Sequence, residues 1–232
     1  MNTRYDLLLC DADDTLFDFG KAEEYAFADA CARMGLQATD ALLATYSEIN
    51  AALWRLLEQG GITQSVLRVR RFEQFLERIG RSDLDALAMA TAFTDSLGRQ
   101  SVPIDGAVEA VARWSCIVPV IIVTNGIARV QHGRMDGSEV RHYIRGMVVS
   151  EEVGAAKPDP KMIEIGMEMA HVTDRSRVLM LGDSLSSDIA AAANAGVDAC
   201  WYNPQGKANE SGLPIAYAIR SLDEVDAILA GE

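Results

Sequence analysis

The stretch "YDLLLCDADDTLF", residues 5–17, sets an apolar run directly against three aspartates, Asp11, Asp13 and Asp14. Residues 5–11 lack helical spacing and are bounded by charge, the pattern of a strand buried on both faces of a parallel sheet. Three later runs repeat it: Ile117–Val123, Gly146–Val149 and Val178–Leu181. Helical patterns fall between them near 105–114, 126–135, 160–170 and 187–195. Strand–helix alternation of this kind predicts parallel strands joined by right-handed crossovers. The expected fold class is therefore α/β, a doubly wound, Rossmann-like parallel sheet.

Residues 21–98 break the rhythm. They hold no convincing strand and read as three or four amphipathic helices punctuated by Gly35, Gly60–Gly61 and Gly80. The chain leaves the sheet after its first strand and returns near "SVPIDG", 101–106, where Pro103 and Gly106 mark a hinge. The expectation is a discontinuous α/β core, residues 1–17 and 101–232, carrying an inserted all-helical cap, residues 18–100.

Composition narrows the partners. A net charge of −13 repels a phosphate backbone, whose binding needs clustered Lys and Arg, so no nucleic-acid polymer is expected. No apolar stretch reaches the ~20 residues of a membrane span, and the N-terminus lacks the pattern of a secretion signal. A cytoplasmic protein without a membrane partner is expected. Cys10, Cys31, Cys116 and Cys200 are scattered without a CxxC pair, which reads as reduced core residues rather than a zinc site or disulfide framework.

In open parallel α/β sheets ligands bind beyond the carboxyl ends of the strands. Asp11 ends the first strand, and Thr124 and Asn125 follow the second. Lys157 lies in a later loop, and Asp183 and Asp188 follow another strand. Three carboxylates brought together there would repel one another unless a hard divalent cation sat between them, and Mg²⁺ prefers oxygen ligands. With that charge neutralised, Asp11 could attack phosphorus as a covalent carboxylate nucleophile. Lys157, Thr124 and the amides of the "TNG" turn would stabilise the phosphoryl oxygens. Asp13 could protonate the leaving oxygen and later deprotonate water.

The four clusters, "DADDT" at 11–15, "VTNG" at 123–126, Lys157 in "AAKPDP" and "GDSLSSD" at 182–188, resemble the four ordered motifs of the haloacid dehalogenase superfamily of phosphohydrolases. The position of the cap fits the all-helical type. The resemblance implies Asp11 as nucleophile and Mg²⁺ ligand. Asp13 would be acid/base and a ligand through its backbone carbonyl, with Thr124, Asn125 and Lys157 as phosphate binders. Asp183 and Asp188 would complete the metal site. Dehalogenases in the superfamily typically lack the second aspartate, so Asp13 favours phosphoryl chemistry. Asp14 stands where Gly or Ser is common, and "DADDT" followed by "LFDF" is similar to a branch of pyrimidine nucleoside 5′-monophosphate phosphatases. So are "GGITQSVLRVRRF" at 60–72, "NGIARVQHGRMDGSEVRHYI" at 125–144, "SEEVGAAKPDP" at 150–160 and "NAGVDACWYNP" at 194–204. A small phosphorylated metabolite, a nucleoside monophosphate, is the partner implied.

Other residues are weighed against plainer roles. Phe17 and Phe19 could stack on a base or pack beneath the cap. Arg68, Arg70 and Arg71 form either a solvated helix face or a contact for a substrate anion or base, with Arg68 and Arg71 carried as candidates. Trp54 and Phe72 read as cap core, Asp14 as a turn former or a catalytic group, and "PDP" as a helix cap by Asp159. His132, His142 and His171 are assigned no role. A sugar phosphate mutase or phosphoglycolate-type phosphatase shares every core motif. A phospho-accepting receiver domain shares the acids and the lysine, but such domains have no cap, and Asp13 would destroy the signal.

Overall fold

The computed structural model describes residues 3–231. β1 (Leu7–Cys10) leads into four consecutive helices, α1 (Phe19–Arg33), α2 (Asp40–Glu58), α3 (Gln64–Arg78) and α4 (Ala86–Leu97). The chain then alternates through α5 (Ala107–Ser115), β2 (Val120–Thr124), α6 (Ala128–Asp136), β3 (Gly146–Val149) and the single turn α7 (Ser150–Val153). It continues with α8 (Lys161–Ala170), β4 (Val178–Gly182), α9 (Ala190–Ala195), β5 (Asp198–Tyr202), β6 (Tyr217–Ile219) and α10 (Glu224–Ala230). The six strands form one parallel sheet in the order β3-β2-β1-β4-β5-β6.

β1 lies inside the sheet, with Leu8 opposite Val120 on one side and Leu179 on the other. Every residue of β1, β2 and β4 is buried, because alternate side chains enter two separate apolar layers. Leu8 and Cys10 pack with Val120, Ile122, Leu181 and Trp114 of α5. Leu7 and Leu9 pack with Ile121, Val123, Met180 and Ile163 of α8. Each such leucine stabilises the fold by roughly 1.5–3 kcal/mol. α8 comes close to β1 because Gly166 has no side chain: a Cβ there would stand 2.7 Å from a Leu9 methyl.

The sequence reading missed β5 and β6. β5 opens on an aspartate and an alanine, and β6 is three residues following a polar stretch, so neither shows a long apolar run. The helix expected over 187–195 begins instead with a π-type turn, Leu185–Ile189, ahead of α9. Asp159 does cap: its carboxylate accepts from the Lys161 amide at 2.9 Å, with Pro160 in helical conformation.

α1 to α4 form the cap. Asp18, Thr39, Thr63 and Asp85 each accept a backbone N–H of the first turn that follows them. Inside, Tyr46 stacks on Phe27 and Phe72 with ring centroids 5.1 and 5.2 Å apart, and Phe75 and Phe93 close the aromatic cluster. The two connections to the core run side by side: the Asp18 amide donates to Val102 O, and the Ile104 amide to Leu16 O. No helix of the described residues is long and apolar enough to cross a membrane. The four cysteines are free; Cys10, Cys31 and Cys200 are buried, but Cys116, expected in the core, is exposed just past the end of α5.

Candidate active site

The carboxyl edge of the sheet gathers the polar residues. β1 delivers Asp11, β2 delivers Thr124, and the turn after β4 delivers Asp183 and, five residues on, Asp188. Carboxylate oxygens of Asp11, Asp183 and Asp188 all lie within 4.8 Å of one another. Lys157 enters from the loop after α7 and is 2 % exposed. Its Nζ donates to Asp11 Oδ1 (2.5 Å), Asp188 Oδ1 (2.6 Å) and the Val123 carbonyl (2.6 Å), using all three ammonium protons. Asp188 Oδ2 accepts from the Ser184 amide at 3.0 Å. Gly182 is required beneath it, because a Cβ at that position would collide with the Asp188 carboxyl.

Charge does not balance in this cluster. Three carboxylates face one ammonium, and the Asp11 carboxyl is driven well above the ordinary range by burial and then by Asp188, Asp183 and Asp13, against the pull of Lys157. Asp183 is pushed up to about 7, mainly by burial and then by Asp188 and Asp14. Burial works to lower the pKa of Lys157, but the charges of Asp11 and Asp188 outweigh it and hold the ammonium protonated. All-oxygen donors with a surplus of negative charge fit a hard divalent cation such as Mg²⁺.

Asp13 sits apart from this triad. Its Oδ2 accepts from Gln131 Nε2 at 2.7 Å, and its Oδ1 is paired with Arg134 Nη1, both from α6. Arg134 is buried, stands 5.1 Å over the Phe17 ring and also donates to the Gln100 carbonyl. Neither partner of Asp13 was anticipated; the signal was Gln131 and Arg134 spaced i, i+3 on the helix after the "TNG" turn.

Other candidates divide. Thr124 Oγ1 accepts from the Gly126 amide at 3.0 Å, which leaves its proton available. Asn125 lines the same cavity as Phe19, Trp54 and Arg71 but spends its side chain within the protein. Nδ2 donates to the Lys157 carbonyl (2.8 Å) and Oδ1 accepts from the Lys157 amide (2.7 Å), a double clamp that fixes the lysine loop. Phe17 is 1 % exposed and belongs to the core, so it offers no face to a base. Phe19, Trp54 and Arg71 line a cavity of about 260 Å³ that also reaches Asp13, Asp14 and Thr124. Trp54, expected as cap core, packs on that core and reaches the cavity as well. Arg68 lies outside this lining, and its side chain makes no hydrogen bond or ion pair among the described residues. Arg71 is turned inward rather than forming a solvated face. Asp14 adopts the left-handed conformation, φ 58°, a region that glycine enters freely and aspartate tolerates better than most residues. Its Oδ1 accepts from the Phe19 amide at 3.1 Å, and burial, then Asp13, raises its pKa. From the cap, Gln64 Nε2 reaches the Asn125 carbonyl at 2.5 Å.

Known proteins share this architecture. A family model for haloacid dehalogenase-like hydrolases matches residues 5–196. The pyrimidine 5′-nucleotidase YjjG of Escherichia coli K12 is 32% identical over 97% of this chain and 98% of its own. The pyrimidine 5′-nucleotidase PynA of Streptococcus pneumoniae is 32% identical over 95% and 93%. The crystal structure of the HAD-hydrolase YfnB of Bacillus subtilis, bound to magnesium, superposes with a TM-score of 0.91 at 32% identity, covering 97% of this chain and 99% of that one. The chain is a phosphatase belonging to the haloacid dehalogenase-like hydrolase family.

Proposed function

We propose that the protein hydrolyses pyrimidine nucleoside 5′-monophosphates with Mg²⁺ and an aspartyl-phosphate intermediate. The observation that carries the reading is the cluster of Asp11, Asp183 and Asp188 about Lys157, beside a cavity that reaches Asp13 and Thr124. The two nucleotidase relatives supply the substrate class.

Asp11, Asp183, Asp188 and the Asp13 carbonyl would hold Mg²⁺, which when bound supplies positive charge against the phosphoryl oxygens. A carboxylate oxygen of Asp11 attacks phosphorus, and the ester P–O bond breaks as Asp13 passes its proton to the leaving 5′-oxygen. Asp13 then takes a proton from water, whose oxygen attacks phosphorus and releases phosphate and Asp11. Lys157 and the Thr124 hydroxyl donate to the phosphoryl oxygens throughout. To accept the phosphoryl group Asp11 must share Lys157 with it, and to reach the leaving oxygen Asp13 must exchange its bonds to Gln131 and Arg134.

Phosphate release from UMP, dUMP, dTMP, phosphoglycolate and hexose phosphates, with Mg²⁺ present, tests the reading. The pyrimidine nucleotides are expected to turn over fastest. Preference for phosphoglycolate or a hexose phosphate over all three overturns the substrate class, and activity surviving EDTA overturns the metal.

A further inference from the structure

The cap side of the cavity carries a cation whose hydrogen bonds are unfinished. Arg71 of α3 is 2 % exposed and lines the cavity. Its Nη1 donates to Asn50 Oδ1 at 3.1 Å, and Asn50 donates to Glu23 Oε1 at 2.8 Å, so the nearby carboxylate acts through an intermediary. Nε and Nη2 are buried and have no partner among the described residues. The guanidinium carbon stands 4.7 Å from the ring centroid of Phe93, 5.3 Å from Phe72 and 5.9 Å from Tyr46. Those faces attract a cation but offer no in-plane lone pair. Nε–H and Nη2–H share one edge of the planar fork, a geometry that suits oxygen acceptors. Burying such donors unpaired is costly, and Arg71 is the buried cation on the lining of this cavity whose fork is left incomplete.

We infer that this edge of Arg71 recognises the base of the substrate, donating to the ring carbonyl oxygen that uracil, thymine and cytosine all carry at C2. The inference rests on the nucleotide reading above and names the residue that reads the base. Phe19 and Trp54, on the same cavity, supply flanking surfaces for the ring. Adenine has no exocyclic carbonyl, so AMP gives the fork no oxygen to bind.

The test compares wild type, Arg71→Met and Arg71→Lys on UMP, AMP and ribose 5-phosphate with Mg²⁺. Arg71→Met keeps the aliphatic stem and removes the fork. A roughly 10–100-fold fall in kcat/KM for UMP is expected, carried by KM, as for a lost hydrogen bond to a charged group. Arg71→Lys is expected to fall between. Ribose 5-phosphate, which has no base, is expected to stay within about twofold of wild type. An equal loss on UMP and ribose 5-phosphate, or an unchanged UMP to AMP ratio, overturns the inference alone. A wild type that ignores UMP overturns the nucleotide reading and this inference with it. Should the variants not fold, wild type decides: uridine must inhibit ribose 5-phosphate hydrolysis more strongly than adenosine does, and equal inhibition refutes the assignment.

Discussion

Replacing Asp183 with Asn is expected to make the metal-free protein more stable while silencing the enzyme. The Asp183 pKa rises from its ordinary 3.8 to about 7 in the folded chain, through burial and the charges of Asp188 and Asp14. Below pH ~4 the carboxyl is protonated in both folded and unfolded chains and contributes nothing. Between ~4 and ~7 the folded chain holds the proton that the unfolded chain has released, so stability falls as pH rises. Above ~7 the full cost is reached, at most about 4 kcal/mol, and solvent screening at this partly exposed position reduces it to about 2 kcal/mol. For a chain of this size that corresponds to roughly 4–8 °C in Tm. Thermal unfolding in EDTA at pH 8 should therefore place Asp183→Asn above wild type by that amount, the gap narrowing toward pH 5. Excess Mg²⁺ should raise the Tm of wild type and leave the variant unmoved. A variant less stable than wild type in EDTA at pH 8, or one that still gains from Mg²⁺, refutes the reasoning.

Asp11→Asn should abolish turnover while the chain folds, measured by phosphate release beside circular dichroism; residual activity in a clean preparation excludes this nucleophile. Asp13→Asn should keep the Mg²⁺-induced rise in Tm yet lose about 10²–10⁴-fold in kcat, and a wild-type rate would remove Asp13 from the chemistry. Gly182→Ala pushes a methyl into the Asp188 carboxyl, so a loss of about 1–3 kcal/mol in stability and of the Mg²⁺ response is expected in denaturant titrations. Lys157→Met strips the shared cation from Asp11 and Asp188 and should cost about 3–5 kcal/mol in EDTA. An unchanged urea midpoint would show that the pair is not coupled through the lysine.

Much of this was legible in the sequence because β1, β2 and β4 are buried on both faces and so read as unbroken apolar runs ahead of polar turns. Asp11, Thr124, Lys157, Asp183 and Asp188 gain their nearness from that topology, since each follows directly from a strand end or its loop. What stayed hidden depends on packing across elements. Asn125 looks like any turn amide until Lys157 is seen clamped to both ends of its side chain. Gln131 and Arg134 resemble an ordinary polar helix face, yet they hold Asp13. Arg71 belongs to a basic run in which periodicity alone gave no means of telling the inward guanidinium from the outward ones, and Phe17 differs from Phe19 only in the direction each takes at the cap hinge. β5 escaped because its run opens on Asp198 and closes within four residues, and β6 because it spans only three residues.

The central place of β1 bears on how the enzyme is made. Its neighbours Val120 and Val178 emerge from the ribosome roughly 110 and 170 residues after it, and at 5–20 residues per second that is a wait of about 8–34 s for the second partner. The first strand synthesised is thus enclosed on its second side only when β4 emerges, a long-range closure that slows folding. A nascent chain stalled before β4 would expose "LLLC" as an open edge and hold no complete catalytic centre, so premature termination yields an aggregation hazard rather than a partially active fragment.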